Sequence, residues 1–458
     1  MNYVEAVAQL VCPDDLCILI IGPGDDFETR FAGREIWRLQ SGPVSQGIRG
    51  ILRAISGRLL NLPLGTLPRH SFDLIVVTGD LPFGSDLIPF LVRLRELSGR
   101  KGRIVARVPN SMSADRISAQ LNGGFDLDPD GSFTPVQFRC ALAEAGLRLV
   151  AEMTAEAVPL DGFKDPLFST AETTFVAAHA GVVTAKSPQL ASATPGVRTS
   201  IIVLTYNSAS TIEACLTSVL AGIGPTDEVL VVDNASQDKT CDLVKSLGGE
   251  NPQIRIIQNE SNLGFSAGCN VGILASQGAF VAHLNPDTIV WPGWIESLLA
   301  PLADPTVGLV GPLSDRIAAA QFVGQYLFEG SPKSLEEIAA SCRSEFRGQY
   351  VGTKLLIGLC LMTRRDVFQE AGLLDEDLFL GSDDLELSWR VRTRDFKLLI
   401  SKETFVHHLG GVSFSSLEKP EKARLLFEST EALLAKVRAY YGWNPPDRLL
   451  WGIDITHR

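Results

Sequence analysis

The stretch "AFVAHLNPDTIVWPGW", residues 279–294, runs apolar as far as Leu284, breaks into Asn285-Pro286-Asp287-Thr288 and turns apolar again at Ile289. Asn and Asp side chains bond to nearby backbone and Pro fixes φ, so the break reads first as a turn that ends a strand. A second reading places the Asp287 carboxylate at the mouth of a sheet, where it holds a metal ion. The neighbouring segments have to decide between the two.

Those segments repeat one pattern. "TSIIVLTYNSASTIEACLTSVL" (199–220) is a buried β run, a polar turn at Thr205-Tyr206-Asn207, and a helix in which Ile212, Cys215, Leu216, Val219 and Leu220 recur at helical spacing. Ser210 and Glu213 stand in a capping-box pattern at its start. "DEVLVVDNASQDKT" (227–240) hands its last apolar residue over to Asp233-Asn234-Ala235-Ser236, and "IRIIQNESNLGFSAGCNVGILASQ" (254–277) has Gly264 and Gly268 opening a helix. With 279–294 these make four apolar runs that end in turn-forming residues. In a parallel sheet such ends gather along one edge, where ligands bind.

The whole chain sets outer bounds on function. Its 458 residues suffice for two or three domains with sizeable cores. Hydrophobic residues at 45% and charged residues at 21% exclude wholesale disorder. Acidic residues outnumber basic ones 53 to 41, a formal charge of -12, which disfavours a nucleic-acid partner because phosphate binding needs a positive field. Cys12, Cys17, Cys140, Cys215, Cys241, Cys269, Cys342 and Cys360 form no C-x-x-C or Cys/His cluster, so reduced cysteines in a cytoplasmic protein are expected. No basic flank and long apolar core mark a secretory signal at the N-terminus, and runs such as "CILII" fall far short of the roughly 20 residues that span a bilayer. A soluble protein is expected, at most peripheral to the inner face of a membrane.

Two sections separate at "GVVTAKSPQLASATPGVR" (181–198), a Ser-, Ala-, Thr- and Pro-rich stretch without period that reads as a linker. Before it, "LCILIIGPGDD" (16–26), "FDLIVVTGD" (72–80) and "GRIVARVPN" (102–110) read as strands, alternating with helix-like stretches such as "DLIPFLVRLREL" (86–97). That alternation predicts a parallel sheet with helices on both faces. The glycine turn, "SFDLIVVTGDLPF", "GRKGRIVARVPN" and "FTPVQFRCALAEAGL" resemble a class I S-adenosylmethionine-dependent methyltransferase domain over roughly residues 14–155. Such domains carry a longer glycine-rich turn and an acid at the end of the second strand. Here Gly24 is followed by Asp25 and Asp26, "REIWRLQSG" offers no acid at its end, and Glu35 stands at its start. The expectation is a Rossmann-like fold kept without methyl transfer, and S-adenosylmethionine is not expected to bind.

After the linker, the ordered blocks "LTYN", "VVDNAS", "NLGFSAGCN", "LNPDT", "GLCLMTRRDVFQEAGLLDEDLF", "SDDLELSWR" and "HHLGGVS" resemble the family 2 glycosyltransferases of GT-A fold, especially the rhamnosyltransferase-like subset, over about residues 198–440. The resemblance implies an α/β chain in four parts: a methyltransferase-type domain at 1–180, the linker at 181–198, a GT-A nucleotide-diphospho-sugar transferase domain at 199–415 and a helical extension at 416–458. It implies transfer, with inversion, of a sugar from a UDP- or dTDP-linked donor, dTDP-rhamnose among them, to a hydroxyl of a glycan or lipid-linked acceptor. A departing diphosphate carries high negative charge, and oxygen ligands suit Mg²⁺ or Mn²⁺ as its stabiliser.

Residue roles follow from the matching blocks. Asp287 falls on the last acid of the family's DXD-like metal motif, with Asn285 in place of the first. His408 begins the H-x-G-G-x-S pattern and matches a late histidine that contacts metal or diphosphate, although His407 beside it leaves the alignment two-fold. Asp233 would accept from the imide N–H of uracil or thymine, a plain helix cap being the alternative. Thr205, Tyr206 and Asn207, with Asn234 and Ser236, belong to the same nucleotide-binding edge, and Asn262, Gly264, Phe265, Gly268 and Asn270 match the segment that closes over ribose and diphosphate. In "SDDLELSWR" Asp384 falls on the general base of the family's Glu-Asp-x-Asp pattern, Asp383 and Glu386 flank it, and Arg390 orients the acids or binds the donor's phosphate. Gly358 stands where backbone must clear the donor sugar, or serves packing alone. The stretch from Pro420 interleaves leucines and aromatics with Lys422, Arg424, Lys436 and Arg438, which suits docking on the catalytic domain or touching a membrane. Two alternatives stay open: a non-catalytic scaffold of degenerate domains, and a bifunctional glycosyltransferase and methyltransferase. Oligomeric state is not legible.

Overall fold

Residues 17–21, 35–41, 50–54, 59–60, 72–77, 87–109, 135–154, 172–179, 190–317, 319–327, 334–410 and 419–453 are described by the computed structural model. They fall into two units, Met1–Gly181 with Val437–Leu449, and Val182–Lys436 with Leu450–Arg458.

In the first unit the strands are β1 (Cys17–Ile21), β2 (Glu35–Ser41), β3 (Gly50–Ala54), β4 (Leu59–Leu60), β5 (Phe72–Val77), β6 (Ser98–Pro109), β7 (Leu147–Thr154) and β8 (Glu172–His179). They form one sheet in the order β4-β3-β2-β1-β5-β6-β8-β7. The expected parallel arrangement holds for β2, β1, β5 and β6 only. The strands on either side, β3 with β4 and β8 with β7, pair antiparallel, so the sheet is mixed. Leu91 and Leu94 of the helix Leu87–Leu97 and Phe138 of the helix Pro135–Glu144 pack on Ile75, Ile104 and Phe175. The glycine turn at Gly22-Pro23-Gly24 lies outside the described residues, and the methyltransferase-type reading gains nothing from those that are described.

The second unit contains β9 (Thr199–Thr205), β10 (Asp227–Asp233), β11 (Ile254–Gln258), β12 (Phe280–Leu284), β13 (Thr288–Ile289), β14 (Val307–Ser314), β15 (Tyr350–Thr353), β16 (Cys360–Arg364) and β17 (Lys397–His408). Their order is β11-β10-β9-β12-β16-β14-β17-β13, with β15 beside β17. The first four are parallel, and they are the four runs whose polar ends the sequence exposes. All seven residues of β9 are buried, as a parallel strand covered on both faces requires. Ile202 and Leu204 face one apolar layer, Ile201 and Val203 the other. In-register pairing sets Asp233 beside Thr205 and Leu284 beside Val203, so the loops after β9, β10 and β12 emerge on one edge.

Several local expectations change. The helix Ile212–Leu220 begins at Thr211 without a side-chain cap, so Ser210 and Glu213 form no capping box there. A capping box does occur at Ser334 and Glu337, on the helix Leu335–Glu345. The second half of the expected linker is docked: Leu190 is buried, Thr194 N–H donates to Gln277 O, and Arg198 pairs with Asp227. The C-terminal helix Lys419–Tyr441 is no separate extension, since its first part belongs to the second unit and its last turns to the first. Lys436 bonds Asp375 and Asp377 within the second unit. Among the described residues no helix is long and apolar enough to cross a membrane. Cys140, Cys215, Cys241, Cys269, Cys342 and Cys360 are free thiols.

Candidate active site

The loops after β9 and β10 are laced together by side chains. Asp233, buried at the end of β10, accepts from Thr205 Oγ1 at 3.0 Å, from Ser236 Oγ at 2.5 Å and from Ser236 N at 3.0 Å. Asn207 N–H donates to Ser236 Oγ at 2.9 Å, and Asn207 Oδ1 accepts from Gln237 N at 2.8 Å. Asn207 and Ala235 take positive φ of 50° and 61°, which these ties hold in place. The acid expected at a nucleobase therefore first organises its own loop.

A second web joins the loop before the helix Phe265–Ala275. Asn234 Nδ2 donates to Gly264 O at 2.9 Å and to Asn262 Oδ1 at 3.3 Å, while Asn234 Oδ1 accepts from Asn259 Nδ2. Gly264 caps the helix at φ 83°, a conformation that suits glycine, and a Cβ there would lie 2.7 Å from the Phe379 ring. Gly268 serves packing: its Cβ would stand 2.6 Å from Leu204, beneath the helix. Tyr206, Asn234, Asn262, Gly264, Phe265 and Asn285 line one cavity of about 360 Å³, beside Pro286 and Phe379. Glu421, Arg424 and Leu425 of the C-terminal helix also line it.

Two expected binding residues are elsewhere engaged. Asn270 is buried, with Nδ2 donating to Leu374 O and Glu376 Oε1 and Oδ1 accepting from Leu374 N. It ties its helix to a segment about a hundred residues away and faces no cavity ligand. Arg390 is fully buried; Nε and Nη2 meet Glu386 at 2.7 and 2.8 Å, and the remaining donors go to Ala371 O, Gly372 O and Leu373 O. Its guanidinium has no donor left for a phosphate, so its role is a clamp under the acidic helix.

That helix, Asp383–Arg392, starts from Ser382 at φ 63° and brings Asp383 and Asp384 to a small cavity shared with Phe265, His283 and Gly358. A Cβ on Gly358 would meet Asp383 Oδ2 at 3.6 Å, an ordinary contact, so nothing in the packing here demands glycine. Burial, then the charges of Asp384 and Glu386, push the Asp383 carboxyl up to about 8.

Asp287 follows the turn into β13, where Thr288 pairs with His408 and Leu409 N–H donates to Asp287 O. Its carboxylate is buried, and Oδ1 has no hydrogen-bond partner although His408 Nε2 lies 3.4 Å away. His408 Nδ1 is 3.2 Å from Arg316 O, and a carbonyl only accepts, so Nδ1 carries hydrogen and Nε2 is the atom turned to Asp287. Burial opposes protonation of His408, but Asp287, the Arg316 carbonyl and Asp315 outweigh it and raise its pKa. His407 pairs instead with Asp315 at 2.7 Å, so His408 is the histidine at Asp287. An orphaned carboxylate oxygen facing an imidazole nitrogen fits a divalent cation. Among the described residues no third Asp, Glu, His or Cys completes a cluster with them.

Sequence reading passed over His283, Phe379 and the C-terminal helix's share of the cavity. His283 had a signal: strand alternation puts it on the apolar face of β12 with Val281. Its Nε2 lies 3.1 Å from Asn285 Oδ1 and its Nδ1 3.5 Å from Cys269 Sγ.

The match to a family model falls within this unit. Residues 200–372 match the family model described as Glycosyl transferase family 2, so a domain of that family lies here, and the match ends before Asp383, Asp384 and His408. Over 214 residues the chain is 26% identical to the glycosyltransferase AglE of Haloferax volcanii, covering 46% of this chain and 65% of that one. It is 27% identical over 210 residues to the pre-mycofactocin glycosyltransferase of Mycobacterium tuberculosis, covering 45% and 42%. The chain thus spans less than two thirds of these relatives' length. A solved mannosyltransferase from Pyrobaculum calidifontis, in complex with GDP-Man and Mn²⁺, is 20% identical at a TM-score of 0.39, covering 55% of this chain and 68% of that one.

Proposed function

We propose that the second unit is an inverting glycosyltransferase that moves a sugar from a nucleoside-diphosphate donor to a hydroxyl of a glycan or lipid-linked acceptor. The observation that carries this reading is Asp287 Oδ1: a buried carboxylate oxygen without a hydrogen-bond partner, 3.4 Å from His408 Nε2, one residue past the cavity that Asn285 and Pro286 line. Asp287 and His408 would hold Mn²⁺ or Mg²⁺, which when bound offsets the charge of the departing diphosphate. Tyr206 gives a ring for the base to pack on, and Asn262 with the backbone at Gly264 borders the ribose and diphosphate. Asp233, held by Thr205 and Ser236 at the end of β10, stands where a carboxylate would meet the imide of uracil or thymine, which favours UDP- or dTDP-sugars.

Asp383 and Asp384 act on the acceptor. With its carboxyl pushed up to about 8, Asp383 keeps the pair's proton at neutral pH, and Asp384 is the base that takes the acceptor's hydroxyl proton as oxygen attacks the anomeric carbon. Asp383 can then donate a hydrogen bond to a sugar oxygen. The first unit we read as a non-catalytic module.

Calorimetry with UDP and dTDP, with and without Mn²⁺, checks the reading. Binding that requires the metal and weakens at least ~10-fold in Asp287→Asn is expected. If no nucleoside diphosphate binds, the reading is wrong.

A further inference from the structure

His283 has no part in the transfer outlined above, yet it lines the cavity of the acidic pair and bonds to Asn285, which lines the other. On β12 it faces the layer that holds Val281, Leu204 and Ile273. A leucine would fill such a position, whereas a histidine there must find polar partners. Cys269 Sγ supplies one at 3.5 Å from Nδ1, Asn285 Oδ1 another at 3.1 Å from Nε2, and the edge of the Phe265 ring meets the imidazole with centroids 5.1 Å apart. Burial lowers the imidazole to about 4, so near neutral pH the ring is uncharged with a single N–H. Burial likewise pushes the Cys269 thiol up, so the sulfur keeps its proton. One chain of bonds satisfies all three groups: the thiol donates to Nδ1, and Nε2–H donates to Asn285 Oδ1, with the Gly358 backbone carbonyl a further acceptor against the ring. An amide whose oxygen is turned to the imidazole in this way presents its Nδ2 hydrogens to the cavity that Asn285 lines.

We infer that His283 is a positioning residue: it locks the Asn285 carboxamide so that the first residue of the Asn-Pro-Asp turn meets the donor as a hydrogen-bond donor to a diphosphate or sugar oxygen, not as an oxygen ligand of the metal. The inference rests on the glycosyltransferase reading and gives the asparagine at this position a chemistry of its own. An aspartate there would repel diphosphate unless a metal lay between; an oriented amide binds it directly.

Titration calorimetry with UDP-glucose, UDP-N-acetylglucosamine, dTDP-glucose and GDP-mannose, each with Mn²⁺, first identifies a sugar nucleotide that the wild-type chain binds. Binding of none overturns the glycosyltransferase reading and this inference with it. With the one that binds, His283→Leu and Asn285→Asp are each expected to weaken affinity about 10-fold, the size of one lost hydrogen bond to a charged group. His283→Gln keeps a donor for Oδ1 and should recover most of the loss. The double variant His283→Leu with Asn285→Ala should bind no more weakly than Asn285→Ala alone. Thermal unfolding accompanies each variant, and if His283→Leu does not fold, His283→Gln and Asn285→Asp decide. Wild-type affinity in His283→Leu, or equal or tighter metal-dependent binding in Asn285→Asp, overturns the inference and leaves the glycosyltransferase reading standing. The second result would mean that the amide oxygen, not its nitrogen, faces the donor.

Discussion

The helix Asp383–Arg392 carries two kinds of acid less than one turn apart. Glu386 is buried and fully met by Arg390, whose other donors hold the carbonyls of Ala371, Gly372 and Leu373. Asp383 has no basic side chain paired with it among the described residues, and burial beside Asp384 drives its carboxyl up to about 8. In the sequence both belong to one acidic block. What separates them is the partner: a carboxylate with its countercharge holds structure, and one without it is left for chemistry. The same contrast divides Asp233, tied by Thr205 and Ser236, from Asp287, whose Oδ1 has no hydrogen-bond partner.

The contrast breaks most readily at Arg390. Arg390→Met leaves Glu386 buried without a cation, a change that costs roughly 3–5 kcal/mol, out of a total stability of about 5–15 kcal/mol. Denaturant titration should show much of the fold's stability gone; a wild-type midpoint would mean the pair is not structural. Asp384→Asn should do the reverse, lowering turnover by about 10²–10⁴-fold while the unfolding midpoint stays put. Wild-type turnover would move the base elsewhere. At the orphaned acid, Asp287→Asn should weaken Mn²⁺-dependent nucleotide binding at least ~10-fold, the lower end of what altering even a supporting residue of a metal site costs. An unchanged metal titration would leave Asp287 a turn residue only.

How far such distinctions can be read from sequence depends on the distance over which the partner lies. β9, β10, β11 and β12 were legible because each is a continuous apolar run closed by its own polar turn, and the order of their loops along one edge follows from parallel pairing. The pairing of Asp287 with His408 rested on alignment, with His407 as a rival; the register of β13 on β17 and the bond from His407 to Asp315 separate them, and both are long-range facts. Asn270 and Arg390 were misplaced for a related reason. The spacing of Glu386 and Arg390 was visible in the sequence, but their burial was not, nor were Leu374 and Glu376 as partners of Asn270. Arg424 reaches the cavity from a helix whose sequence shows only a mixed charged face. The mixed sheet of the first unit was hidden because antiparallel partners such as β6 and β8 lie far apart in the chain.

A last expected effect concerns stability against pH, and it isolates the open acid. In the unfolded chain an Asp titrates near its ordinary 3.8, whereas in the folded chain Asp383 is pushed up to about 8. Its folded pKa is raised, so its stabilising contribution is complete below 3.8, where both states hold the proton. Between 3.8 and about 8 the unfolded chain has lost that proton while the folded chain keeps it, so stability falls as pH rises through this window and levels off above it. Asp383→Asn removes the titration. Its unfolding midpoint should match wild type near pH 4, exceed it by a margin that widens up to about pH 8, and hold that margin beyond. Parallel curves for Asp383→Asn and wild type would place Asp383 among the satisfied acids and remove the difference between the two ends of the helix.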